Sequence, residues 1–167
     1  FAFMPIFGIN NGMIPIIAYN YGAKKEDRVI KALMIAAMYA EIIMVLFMVM
    51  VQIIPVPMLS LFNASPDMIK MGVPALRIIS ISFIFAGICI ICSSFFQALG
   101  SSVYSMLVSF VRQIVFLVPC AYIFSKTGNV NLVWWAWPIA EIASLSLSVF
   151  FFMRVKKKKF GYMENDD

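Results

Sequence analysis

The sequence predicts an all-α integral membrane protein, a bundle of five transmembrane helices. Three observations lead there. Hydrophobic residues make up 63% of the chain and charged residues 13%, where ordinary globular proteins are about half apolar and about a quarter charged. Mean hydropathy is +0.94. The apolar residues also gather into uncharged runs of about 20, the length a helix needs to cross a bilayer. Backbone groups in hydrocarbon find no water, so each run satisfies them internally as a helix. The period-two alternation of a membrane β-barrel, in segments of about ten residues, is absent.

The helices are predicted at about 1–21, 29–54, 66–99, 102–125 and 132–154, giving a transmembrane region over 1–155 and a tail over 156–167. The first run, FAFMPIFGINNGMIPIIAYNY, passes directly into KKEDR, as a helix does on leaving a membrane. It has no basic leader and no small-residue cleavage site, so it is not a signal peptide, and Phe1 reads as the cut end of a longer chain. The second is stopped by Pro55 and Pro57, which lack donors and disfavour helix in the residues before them. The third starts at Ser65-Pro66-Asp67, a cap residue, a first-turn proline and a first-turn acid, and stops at Gly100. Lys126-Thr127-Gly128-Asn129 turns the chain between the fourth and fifth. Prolines 5, 15, 74, 119 and 138 permit bends, and Gly8 and Gly12 form a small-xxx-small pair suited to close helix packing.

Nine of the 13 basic residues lie in two clusters, Lys24, Lys25, Arg28 and Lys31, and Arg154 with Lys156 to Lys159. With the KKEDR loop inside, five helices place both clusters on the cytoplasmic face, as the positive-inside rule requires. Lys70 and Lys126 then fall outside. The expected location is a cell inner (plasma) membrane, multi-pass, with the C-terminus cytoplasmic and the tail a solvated orientation signal.

Ionisable residues at bilayer depth are costly and mark candidate sites. At about 1.5 Å of rise per residue, Glu41, Arg112 and Glu141 each lie about 14 to 18 Å from a helix end, near the middle of a core about 30 Å thick. With Gln113 beside Arg112 they form a predicted mid-depth polar layer. Arg112 is expected to pair with Glu141, because the fourth and fifth helices are antiparallel neighbours and the charges match in depth. Such a pair serves either transport or helix register alone. Glu41 has two readings: a proton-exchanging acid facing a water-filled cavity, or an acid bonded to neighbouring hydroxyls. Arg77, nearer the outer surface, reads as an interfacial anchor.

The sequence holds no His, which excludes imidazole chemistry and, with no acidic pair at helical spacing inside a span and no Gly-rich phosphate loop, argues against an enzyme. No catalytic, cofactor-binding or metal-binding residue is identified. Cys89, Cys92 and Cys120 sit in apolar runs, and the CxxC of the first two has no neighbouring cation to stabilise a thiolate. They read as packing residues. The basic clusters flank membrane runs, so nucleic acid is not an expected partner; the lipid bilayer is.

GINNGMIPIIAYNYGAKKEDRV resembles the second helix of the C-terminal lobe in the multidrug and toxic compound extrusion (MATE) family. SPDMIKMGVPALRIISISFIFAGICIICSSFFQALG is similar to that lobe's fourth helix, and NVNLVWWAWPIAEIASL to its last, with Glu141 closing a Pro-x-Ala-Glu core. The resemblance covers nearly the whole chain and assigns it helices eight to twelve of a two-lobed, twelve-helix transporter. It implies a secondary antiporter exporting drugs or toxic organic compounds, cationic ones foremost, in exchange for Na+ or H+. It also implies an N-terminal lobe as partner. The family's acidic site on the fourth helix of this lobe cannot be carried over, because no Asp or Glu lies between Arg77 and Gln97. The implied coupling acid then lies in the other lobe, with Glu41 or Glu141 assisting, and the five helices alone are expected not to transport. A lipid-linked oligosaccharide flippase of related fold is one alternative, although only Arg112 is available at mid-depth for its pyrophosphate. A non-transporting membrane scaffold subunit is the other.

Overall fold

A computed structural model describes residues 2–161, and all regular secondary structure among them is helical. Helix α1 (Met4–Gly22) carries Pro5 in its first turn and Pro15 within. Lys25 N–H donates to the Asn20 carbonyl at 2.9 Å, and Lys24 between them has φ +56°, the left-handed residue that reverses the chain. Helix α2 (Glu26–Ile53) begins with two acids, which suit the positive end of the helix dipole. It stops before Ile54, which as the neighbour of Pro55 is pushed out of helical geometry. A short α3 (Pro55–Ser60) follows.

The predicted helix over 66–99 is two helices, α4 (Pro66–Ile81) and α5 (Phe83–Ala98), bent by 51° at Ser82. No Pro or Gly stands at the corner. Instead the Ser82 hydroxyl donates to the Ile79 carbonyl at 2.6 Å and the Ser80 hydroxyl to the Arg77 carbonyl at 3.0 Å. Side-chain bonds of this kind compete with the helical ladder and bend it. Gln52 of α2 holds the corner, donating to the Arg77 carbonyl at 2.8 Å and to Ser80 Oγ at 3.0 Å. Arg77 itself is exposed.

Between α6 (Ser102–Phe110) and α7 (Val118–Ser125) the chain is a π-helix, Val111–Leu117, where an ordinary helix was expected. Pro119, without an N–H, stands just past it. Ser125 and Thr127 hydroxyls close the end of α7 on the carbonyls of Tyr122 and Phe124, and Asn129 caps α8 (Val130–Val133). The last helix, α9 (Ala136–Phe160), runs past the predicted end at 154. Lys156 to Lys159 are therefore helical rather than loose tail. Lys156 Nζ lies 3.5 Å from Glu26 Oε1, and Lys159 Nζ is 5.6 Å from the centre of the Tyr21 ring. Both basic clusters thus share one end of the bundle. The remainder of the predicted tail, 162–167, lies outside the described residues.

Helix α2, the α6 to α7 rod and Val130–Phe160 are each long and apolar enough to cross a membrane, and the bent α4–α5 pair makes a fourth candidate span. Helix α1 has 19 residues, about 28 Å at the α-helical rise, but Asn10, Asn11 and Asn20 dilute its hydropathy. Helix α5 is the centre of the bundle, packed by α1, α2, α6 and α9. Phe95 and Phe96 are fully buried on it, against Phe152 at 5.3 Å and Tyr104 at 6.1 Å between ring centres. Met34, Met38, Ile42 and Leu46, spaced four apart on α2, are exposed and form an apolar stripe along one face. One close helix contact is at Gly87 of α5, where an added Cβ would come within 3.0 Å of Glu41 Oε2 and 3.2 Å of Met44 Cγ. Gly8 and Gly12 have nothing within 4 Å of such a Cβ among the described residues, so none of these helices packs closely on that pair.

Candidate functional site: an ion pair between two cavities

Arg112 stands in the first turn of the π-helix and Glu141 just inside α9, on antiparallel rods that face each other. Arg112 Nη1 donates to Glu141 Oε1 at 2.9 Å, so the expected pair is present. Its partners are unequally placed: the Glu141 side chain is 10% exposed and that of Arg112 33%. Glu141 Oε2 has no hydrogen-bond partner among the described residues.

The pair separates two cavities. One, of about 310 Å³, lies between α1, α5, α6 and α9; the other, of about 250 Å³, lies between the α4–α5 corner, the π-helix and the start of α9. Arg112 borders both, whereas Glu141 and Gln113 border only the smaller. Glu41 is not with them. It is half-buried on α2 beside Gly87, with Oε2 unpartnered among the described residues. The predicted layer of four thus resolves into a cluster of three and an isolated acid.

The larger cavity is lined by polar groups that depth estimates on charges passed over. Asn10 is 5% exposed, and its Oδ1 is buried without a partner among the described residues. Gln97 Nε2 donates to Ser105 Oγ at 3.1 Å, which joins α5 to α6 across one wall. Ser144 and Ser148 set their hydroxyls beside the buried Cys89 thiol, but neither reaches hydrogen-bonding geometry with a neighbour. A signal for this wall exists: Ser105 and Ser109, both lining the cavity, repeat at i,i+4 in an apolar helix and so share a face. The three cysteines are free thiols, and no group of three or more His, Cys, Asp or Glu able to hold a metal occurs among the described residues. What the site offers is a guanidinium, a ring of hydroxyls and amides, and apolar walls, a set suited to binding.

The MatE family model matches residues 1–123. The multidrug export protein MepA of Staphylococcus aureus is 28% identical over 138 residues, covering 81% of this chain and 30% of MepA. Its namesake in Staphylococcus haemolyticus is 22% identical over 145 residues, covering 87% and 32%. Among solved structures, the MATE multidrug transporter DinF-BH superposes with a TM-score of 0.84 at 32% identity, over 95% of this chain and 35% of its own. The Vibrio cholerae MATE transporter VcmN in its bent form reaches 0.89 at 19% identity, over 97% and 37%, a likeness of fold alone. The chain spans about a third of the length of these relatives. With most of its residues under one family model and its helices disposed as in solved members, this chain belongs to the MatE family of multi-pass membrane proteins.

Proposed function

We propose that the chain works within a secondary active efflux transporter that exports drugs or other toxic organic compounds in exchange for Na+ or H+. The observation that carries this reading is the likeness to DinF-BH, a MATE multidrug transporter, over 95% of the chain at 32% identity. Because the chain spans about a third of such relatives, transport belongs to a larger assembly in which these helices face a second lobe. Rocking of the two lobes about a central cavity then gives alternating access. The basic residues after α1 and at the end of α9 share one end of the bundle, which supports a cytoplasmic C-terminus in a plasma membrane. Coupling needs an acid that can lose its cation partner. Each acid keeps one unpartnered oxygen, but Glu141 is held by Arg112 while Glu41 has no ion pair among the described residues, so Glu41 is the better local assistant to a coupling acid in the other lobe.

The test is to express the reading frame that contains this chain in a bacterium lacking its own drug pumps and to follow accumulation of ethidium. The expected result is several-fold lower accumulation that is lost when the Na+ and H+ gradients are collapsed. Unchanged accumulation with the protein present in the membrane overturns the reading.

A further inference from the structure

The end of α9 sorts its basic residues onto two faces. Lys156 and Lys159 turn inward: Lys156 Nζ lies 3.5 Å from Glu26 Oε1, and Lys159 Nζ 5.6 Å from the centre of the Tyr21 ring. Val155 and Phe160 are buried, and Phe160 meets Tyr21 edge-on at 5.9 Å between ring centres. The last turns of α9 are thus fixed against the end of α1 and the start of α2. Arg154, Lys157 and Lys158 stand at i, i+3 and i+4 and therefore share the opposite face. All three are exposed, and none has an ion-pair partner among the described residues. Arg28 and Lys31, exposed near the start of α2, are likewise without one and add to the positive charge of this end. Like charges at helical spacing repel. The negative end of the helix dipole offsets part of that cost in the last turn, but Arg154 lies before that turn.

Depth points to the source of the missing anion. At about 1.5 Å per residue, Arg154 lies about 27 Å along α9 from Ala136, and Lys157 and Lys158 about 32 to 33 Å. Trp134, Trp135 and Trp137 cluster at the start of α9, as aromatic residues do at a membrane interface. A hydrocarbon core is about 30 Å thick and each headgroup layer adds about 5 to 8 Å, so the three cations fall at the far core edge and in the headgroup layer beyond it. We infer that Arg154, Lys157 and Lys158 form a binding face for the headgroup of an anionic phospholipid, its phosphate held between the guanidinium and the two ammonium groups. A polyanion in water would have to pass through headgroups to reach Arg154. The face is a rigid one, where a solvated tail was expected, and its lipid binding does not depend on transport.

The experiment is native mass spectrometry of the full chain released from micelles that hold phosphatidylglycerol and phosphatidylcholine in equal amounts, with helical content checked by circular dichroism. Retained phosphatidylglycerol is expected to exceed retained phosphatidylcholine by at least about fivefold, the attraction of about one cation to an anionic surface. Two variants remove the same charge from opposite faces. Lys157→Gln with Lys158→Gln is expected to bring the preference below about twofold, while Lys156→Gln with Lys159→Gln leaves it within about twofold of the native chain. Equal retention of the two lipids by the native chain makes these residues an orientation signal alone and overturns the inference. An equal loss of preference in the two variants, both helical, means that net charge and not one face attracts the lipid, and overturns it too. So does a preference that appears only after Glu164→Gln, Asp166→Asn and Asp167→Asn, which would make the acidic end of the chain the occupant.

Discussion

Removing either member of the Arg112–Glu141 pair should cost stability unequally, because what is left behind differs. Arg112→Gln leaves a carboxylate that is 10% exposed and already has one oxygen without a partner. Breaking a fully buried pair costs about 3–5 kcal/mol, but here a third of the arginine side chain is exposed and two cavities adjoin it. That lowers the expected loss to about 2–3 kcal/mol for Arg112→Gln. Glu141→Gln leaves an arginine that still reaches polar groups of the larger cavity, and about 1–2 kcal/mol is expected, near the value of one hydrogen bond to a charged group. The double variant should cost less than the sum, with a coupling energy of about 1.5 kcal/mol, and the double reversal Arg112→Glu with Glu141→Arg should recover part of the loss. Reversible unfolding in lipid bicelles, followed by steric trapping of the unfolded state, measures all five proteins on one scale. A coupling below about 0.5 kcal/mol, which is ordinary for membrane hydrogen bonds, or a larger loss for Glu141→Gln than for Arg112→Gln, refutes the reasoning.

The α2–α5 crossing supplies a contrast of glycines: Gly87→Leu should separate the helices and cost about 2–3 kcal/mol by overpacking, because Glu41 and Met44 already stand within 3.2 Å of a Cβ. Gly12→Ala, where an added Cβ meets nothing within 4 Å among the described residues, should change stability in the same unfolding assay by less than about 0.5 kcal/mol. Gln52→Ala should cost about 1–2 kcal/mol, since Gln52 makes two bonds to the α4–α5 corner, and spin-label distances across Ser82 should broaden. Phe95→Ala, at a fully buried position, should cost about 3 kcal/mol through the cavity it opens. A membrane-permeant maleimide should label Cys120 and spare Cys89, which is 3% exposed, as read by mass spectrometry of the folded protein.

Uncharged runs and their stop signals made the helices legible, because lipid leaves the backbone no other solution. The ion pair was legible for a similar reason: two charges at one depth on adjacent antiparallel rods have few other partners. The bend at Ser82 was not, since its cause is a glutamine 30 residues away in sequence and two ordinary serines. Nor was the π-helix, for which Pro119 is the one local sign, or the docking of Lys156 and Lys159, which depends on where Glu26 and Tyr21 come to rest. Gly8 and Gly12 had the right spacing for a helix contact but meet no neighbour among the described residues, while Gly87, with no small partner at that spacing, makes one. Spacing within a helix says which residues share a face, not which face meets a neighbour.

The π-helix has a consequence for how this rod tolerates insertion and deletion. A π turn holds about one more residue than an α turn of similar rise, so Val111–Leu117 behaves as a stored insertion. Deleting one residue there, such as Ile114, can be absorbed by tightening to α-helix, leaving the α6 and α7 faces as they are. The same deletion within α5 would rotate everything after it by about 100°. Length changes in this stretch of the chain therefore fall first on Arg112, whose side chain would turn relative to both cavities, and leave the flanking helices in register.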